Sequence, residues 1–273
     1  MQKVKLSINA PLDNLEVVER AGFDCIEPSN TDIAKMTPMR FQEHVWRLQD
    51  SPVDCKVIDN PIPCAVSFSS PEWDIQKWMD YLKLSAYRCA ALGAEYWCFG
   101  NGGSRRLPED EDGKVRTMVN MYAAVSASAD IAKEYGVKVI VEPLGPSVTN
   151  YLCNLPETIA FVKELNRSNV FTMVDYRWEY EQNRPASDLY RYADMIVHAH
   201  IDNPGTDYMT QKIRKVQRLD DSFDYTPFLN FIKSDSFHGV VSIEANCFDD
   251  YERDLTQAIE FYKAHGIEPF RKS

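Results

Sequence analysis

The sequence predicts an α/β protein folded as a (β/α)8 TIM barrel, and three observations carry that expectation. Short apolar, β-branched runs alternate with stretches of helical periodicity along the chain. Eight such strand-then-helix units can be laid out in order. The length of 273 residues suits a fold whose typical size is about 250 residues. A doubly wound open sheet competes, but it usually needs fewer units and often shows a glycine fingerprint after its first strand, which "SINAPLDN" lacks. No linker, low-complexity tract or composition break divides the chain, so residues 1–273 read as a single domain.

The first unit is a strand in "VKLSI" (4–8) and a helix in "DNLEVVERAG", with Asp13 as N-cap and Gly22 as C-terminal stop. The second is "FDCIEPS" followed by "TPMRFQEHVWRLQDS", where Thr37 before Pro38 favours a helix start. The third strand, within "CKVIDNPIPC", must end early because Pro61 and Pro63 remove ladder donors. Its helix spans "PEWDIQKWMDYLKLSAYRCAALG" and closes on Gly93. The fourth strand, "AEYWCFG", runs into the Gly-rich, charged loop "NGGSRRLPEDEDG" and then the helix "VRTMVNMYAAVSASADIAKEYG". "VKVIVEPL" with "LPETIAFVKELNR" makes the fifth unit, and "VFTMVDY" with "ASDLYRYADM" the sixth. "IVHAHID" with "YTPFLNFIKSDS" makes the seventh, and "VVSIEAN" with "DYERDLTQAIEFYKAHG" the eighth.

Composition narrows the function classes. Thirty Lys plus Arg against forty-one Asp plus Glu leave a formal net charge of −11, with no dense basic run, which argues against a nucleic-acid partner. The N-terminus lacks the apolar core of a signal peptide and no apolar run approaches membrane-spanning length, so a soluble, cytoplasmic protein without a membrane partner is expected. Oligomerisation stays open, a homo-oligomer included. The seven cysteines (Cys25, Cys55, Cys64, Cys89, Cys98, Cys153 and Cys247) are scattered singly, as buried reduced thiols would be.

A TIM barrel carries its chemistry at the C-terminal ends of its strands. Strand five ends in Glu142, strand six in Asp175, strand seven in His200 and strand eight in Glu244. Each closes an apolar run where an unpaired carboxylate would be costly to bury. One strand-end acid alone is usually a solvated or capping group; recurrence in four successive units points to a shared divalent cation. Three carboxylates and one imidazole suit Mn2+ best, with Mg2+, Co2+, Fe2+ and Zn2+ as alternatives. His198 shares a strand face with His200 and is expected one layer deeper, as a buried neighbour.

"VEPL", "VDY", "HAHID" and "SIEA", in this order, resemble the xylose isomerase-like barrels, which include sugar phosphate isomerases, ketose 3-epimerases, hydroxypyruvate isomerase and inosose dehydratase. Glu27 in "CIEPS" and the stretch "FGNGGSRRLP" share the likeness, which covers essentially the whole chain. The resemblance implies one divalent metal held by Glu142, Asp175, His200 and Glu244, with Glu142 and Glu244 also serving as acid and base on opposite sides of a bound small-molecule carbohydrate. A cation that polarises a carbonyl and its neighbouring hydroxyl acidifies the C–H between them and stabilises an enediolate. Returning the proton to the other face of that carbon epimerises; returning it to the adjacent carbon isomerises. Expelling a β-oxygen substituent instead makes a lyase, the principal alternative, and a sugar-binding barrel without catalysis is a third.

Departures from the family pattern bear on the choice. Many relatives carry an asparagine three residues after the strand-five glutamate and a glutamate three further on, where this chain has Gly145 and Val148, although Asn150 is kept as a substrate-binding candidate. A histidine common three residues after the strand-six aspartate is replaced by Trp178, which either offers a flat face to a sugar or aglycone or fills the barrel mouth. Glu27 is expected to touch substrate or orient a ligand. Arg218, in the loop after strand seven, is expected to reach the substrate, as an arginine does in some relatives. "GNGGSRR" suggests an anion cradle with Arg105 and Arg106, or an exposed turn.

Overall fold

The computed structural model describes residues 2–63, 65–203 and 213–270; Cys64 lies outside the described residues. Eight parallel strands form the barrel: β1 (Gln2–Asn9), β2 (Cys25–Glu27), β3 (Val57–Asp59), β4 (Tyr96–Phe99), β5 (Lys138–Val141), β6 (Val170–Asp175), β7 (Ile196–Ile201) and β8 (Val240–Ile243). They hydrogen-bond in the order β2-β1-β8-β7-β6-β5-β4-β3. The seam between β2 and β3 is closed by two isolated parallel bridges, Cys25 to Asp54 and Ser29 to Asp59. The expected (β/α)8 architecture is therefore present.

The helices are α1 (Leu15–Ala21), α2 (Asn30–Lys35), α3 (Pro38–Asp50), α4 (Met79–Ala91), α5 (Glu111–Glu134), α6 (Leu155–Leu165), α7 (Tyr176–Glu181), α8 (Ser187–Arg191), α9 (Thr226–Ile232) and α10 (Tyr251–Ala264). Thr37 caps α3 as expected, its hydroxyl accepting from the Arg40 N–H at 3.3 Å. Asp13 does not cap α1. It sits in a 3-10 turn over Leu12–Asn14 and pairs with Arg40 instead, so the chain enters α1 through that turn. Gly22 does stop the helix, at φ 105°, a left-handed conformation that favours glycine. The stretch from Pro71 forms only a 3-10 turn at Ile75–Trp78 before α4 begins. Three elements were not expected: α2, α7 and a short ninth strand, β9 (Ile267–Pro269), which pairs with the start of β1.

Alternation along the strands explains how the site is placed. Cys25, Val57, Cys98, Ile140, Met173 and Val240 form a buried cluster inside the barrel, separate from the larger apolar layer between sheet and helices. Two residues further along those strands stand Glu27, Asp59, Gly100, Glu142, Asp175 and Ser242, with Glu244 beyond. Side chains two apart share a face, so the interior changes from apolar plug to polar crown within one pleat. Four of the six described cysteines are buried, as expected of structural thiols.

Candidate metal centre

The ends of β5 to β8 bring Glu142, Asp175, His200 and Glu244 together, each offering one ligand atom within 4.8 Å of the others. The ladder fixes them: Glu142 N–H donates to Phe99 O and Glu244 N–H to Ile201 O, both at 3.1 Å, while Asp175 and His200 are register partners. Asp175 also caps α7, its Oδ1 accepting from the Arg177 N–H at 3.0 Å. His200 Nδ1 lies 3.4 Å from both Glu142 Oε1 and Glu244 Oε2. Neither His200 Nδ1 nor Glu142 Oε1 has a hydrogen-bond partner among the described residues, although both are buried. Buried polar atoms are nearly always partnered, and a hard divalent cation among three carboxylates and one imidazole nitrogen would supply the missing partner. The donor set fits such an ion.

The second ring nitrogen of His200 faces Glu27, with Nε2 and Oε1 3.0 Å apart. Glu27 is fully buried, and its other oxygen stands 3.1 Å from His198 Nε2. A carboxylate on one imidazole nitrogen fixes the tautomer that leaves the other nitrogen for a metal. Glu27 thus sits behind His200 rather than in the mouth, and His198 is the buried neighbour one layer down. Burial opposes charge on Glu27, but the two imidazoles outweigh it and hold its carboxyl well below the usual range. Asp59, whose Oδ2 accepts from Asn9, is pushed well above its usual range by burial and by repulsion from Glu27.

The two glutamates at the mouth differ in basicity. Burial raises Glu142 to about 6 despite the opposing pull of His200. Burial acts in the same direction on Glu244, yet Arg214 and then His200 override it and hold the group at about 2. Arg214 contacts the Glu244 carboxylate and stands 3.4 Å from Asp175 Oδ2. Its backbone is clipped by the loop after β8: Arg214 N–H donates to Asn246 Oδ1 at 3.0 Å, and its carbonyl accepts from the N–H groups of Asn246 and Cys247.

Arg214 is the residue that reading the sequence missed. The stretch after β7 has no periodicity to place any one arginine, and the only local clue was an asparagine just past the strand-eight glutamate. Arg218, the expected arginine, is not brought to the cluster: it pairs with Asp249 at 3.0 Å and Asp254 at 3.2 Å. Asn150 is also turned elsewhere, its amide bridging the backbone N–H and carbonyl of Leu107. Arg105 is fully buried and its Nη2 donates to the carbonyls of Glu142 (2.7 Å) and Leu152 (3.3 Å), so it braces the end of β5.

The departures at 145 and 178 prove to be packing partners, and Val148 packs elsewhere. Trp178 is 1 % exposed, and the Arg214 guanidinium lies 5.3 Å from its ring centre, a cation–π contact. A Cβ at position 145 would stand 2.4 Å from Trp178 Cε3, so the large indole needs glycine there. Val148 packs over Gly102, where a Cβ would come within 2.5 Å of its Cγ1. Gly100 serves the site directly, since a Cβ there would lie 2.1 Å from Glu142 Oε2. Trp178 fills the mouth and supports Arg214 from below.

Comparison with known proteins agrees with the fold. The profile of the xylose isomerase-like TIM barrel family matches residues 15–265. An L-ribulose 3-epimerase from Methylomonas sp. (strain DH-1) is 25% identical over 127 residues, which span 46% of this chain and 41% of that protein. Among solved structures, D-allulose 3-epimerase from Methylomonas sp. superposes with a TM-score of 0.79 at 18% identity, covering 97% of this chain and 99% of that one. The IOLI protein, solved with a bound zinc atom, gives a TM-score of 0.72 at 20% identity and covers 96% of each chain.

Proposed function

Because the chain belongs to the xylose isomerase-like TIM barrel family, we propose that it is a divalent-metal-dependent carbohydrate epimerase or isomerase that moves a proton on the carbon beside a carbonyl. The observation that carries this reading is the convergence of Glu142, Asp175, His200 and Glu244, with buried ligand atoms of two of them lacking any other partner. When bound, a divalent cation supplies the Lewis acidity that makes such a C–H removable; we take it to be Mn2+ from the oxygen-rich donor set.

The protein's own groups divide the remaining work. Glu244, held ionised by Arg214, is set to accept the proton. Glu142, the more basic of the two because burial raises it, is set to return a proton on the opposite face of that carbon. Two carboxyls whose surroundings push their pKa values apart are the usual mark of an acid and base pair. Arg214 takes the role first assigned to Arg218: its guanidinium, steadied by Trp178, meets substrate oxygens and any charge that develops on them. Glu27 keeps the His200 ring in orientation. The substrate is a small carbohydrate carrying a ketone, used in the cytoplasm.

The test is incubation of the Mn2+-loaded protein with D-fructose and D-allulose in deuterium oxide. The proposal expects deuterium at the carbon beside the carbonyl with no group expelled, and its loss on chelation. Inertness toward ketoses, with metal-dependent release of a leaving group from a 3-oxo-glycoside, would put a lyase in its place.

A further inference from the structure

Helix α5 has an outer face that the barrel leaves uncovered. From Thr117 to Ala129 no residue is charged, in a chain where charged residues make up 26%. That stretch nevertheless meets water: Val115 is 54 % exposed and Val119 59 %, with Met118 and Tyr122 exposed beside them. Leu84 and Tyr87 stand exposed on the adjacent α4, and the Tyr87 ring reaches Tyr135 at the end of α5, 6.4 Å between centres. Half of the exposed large apolar side chains among the described residues lie on α4, α5 and the turn that ends α5. A contiguous apolar patch of this kind is the mark of an interaction surface.

The face is built so that a copy of itself fits it. Residues four apart form ridges on a helix, and two adjoining ridges, 115-119-123-127 and 118-122-126-130, make up this surface. Each starts with large side chains, Val115 and Val119 or Met118 and Tyr122, and continues into small ones, Ala123 and Ala127 or Ser126. A second α5 laid antiparallel, with a two-fold axis between positions 122 and 123, sets the large half of each helix on the small half of the other. Val119 then meets the partner's Ser126, and Met118 the partner's Ala127. The same axis brings the exposed Asp112 opposite the partner's Lys133, and the symmetry makes that pair twice. At 24 residues, α5 is about 36 Å long. With the ridge of α4 beside it the strip is about 20 Å wide and offers roughly 700 Å2, close to the 800 Å2 or so that each partner buries in a standard interface.

We propose that this face of α5 is the interface of a two-fold homodimer. A surface whose halves complement each other across one axis takes its own copy. A membrane is a poorer match, because anionic lipid recruits Lys and Arg, while Glu111 and Asp112 edge this face in a chain of net charge −11. No metal ligand lies on α5, so the dimer does not rest on the catalytic reading. Pairing there still reaches the barrel mouth. Arg116 donates to the Ser69 carbonyl at 2.9 Å and the Asn120 amide to the Phe68 carbonyl at 2.8 Å, while Phe68 N–H donates to the Ser104 carbonyl at 2.9 Å. The helix thus holds the loops after β3 and β4, and a partner would buttress both.

Sedimentation velocity over a dilution series of the full chain tests the proposal. The wild type is expected to run as a dimer. Val119→Glu, which puts an unpaired carboxylate in the seam at a position exposed in the single chain, should raise the dissociation constant about 100-fold or more. Trp46→Glu, equally exposed on α3, should leave the dimer intact. Asp112→Lys and Lys133→Asp should each weaken it about fivefold by setting like charges opposite one another, and the two changes together should restore it. An unchanged circular dichroism spectrum verifies folding in each variant. A wild type that stays monomeric at every concentration, a dimer that Val119→Glu leaves intact, or equal dissociation by Trp46→Glu would overturn the interface. Failure of the double exchange to restore what the single changes lose would overturn the antiparallel arrangement.

Discussion

At the scale of single residues, the site depends as much on groups behind the ligands as on the ligands themselves. Glu27 joins His200 and His198 in the barrel interior, and Glu27→Gln would put an amide N–H against one of two ring nitrogens. Metal affinity should fall about 10- to 100-fold with the circular dichroism spectrum unchanged, measured by competition with a chromophoric chelator. Glu142 must shed its proton to bind a cation, and burial sets that step at about 6. Metal affinity in the same assay should therefore decline as the pH falls, first because Glu27 and the neighbouring carboxylates, against burial, hold the His200 imidazole well above its usual range, and further below about 6 as protons compete for Glu142. Gly145 and Trp178 share one volume, so Gly145→Asn alone should destabilise the protein by about 1–3 kcal/mol in denaturant titration. Combined with Trp178→His, which empties the space the asparagine needs, the cost should be well below the sum of the single changes.

At the scale of elements, α7 is the joint between the metal centre and the loop after β7. Asp175 caps it, and Arg177 in its first turn makes a buried ion pair with Asp202 just past β7, also donating to the Ile213 carbonyl at 3.0 Å. Arg177→Met would strand Asp202, whose carboxyl burial has already raised to about 6. A loss of about 3–5 kcal/mol is expected, read from the urea midpoint, together with loosened placement of Arg214. This helix was illegible in the sequence because "YRWEYE" is six residues long, too short to show periodicity, and it begins on the strand-ending aspartate without an intervening loop. The strands and long helices were legible, since alternation, Thr37-Pro38 and Gly22 act locally. Asp13 misled because its carboxylate found a partner in Arg40 across the chain, which no local pattern reveals.

At the scale of the whole molecule, one regularity connects fold and chemistry: the barrel interior turns polar two residues after its apolar plug, in strand after strand. That alternation made the four clustered residues readable, because each closed an apolar run and the fold class said where such ends converge. What could not be read were the contacts between units, such as Glu27 to His200 across the barrel, Arg214 clipped by Asn246, and Trp178 seated on Gly145. Among the described residues no helix is long and apolar enough to cross a membrane. The central claim is that one divalent cation is held jointly by the ends of β5, β6, β7 and β8. Its most direct test is the metal content, by inductively coupled plasma mass spectrometry after Mn2+ loading and gel filtration, of the wild type and of Glu142→Ala, Asp175→Ala and His200→Ala. The account predicts one ion per chain in the wild type and strongly reduced occupancy in each folded variant; full occupancy in all three would contradict it.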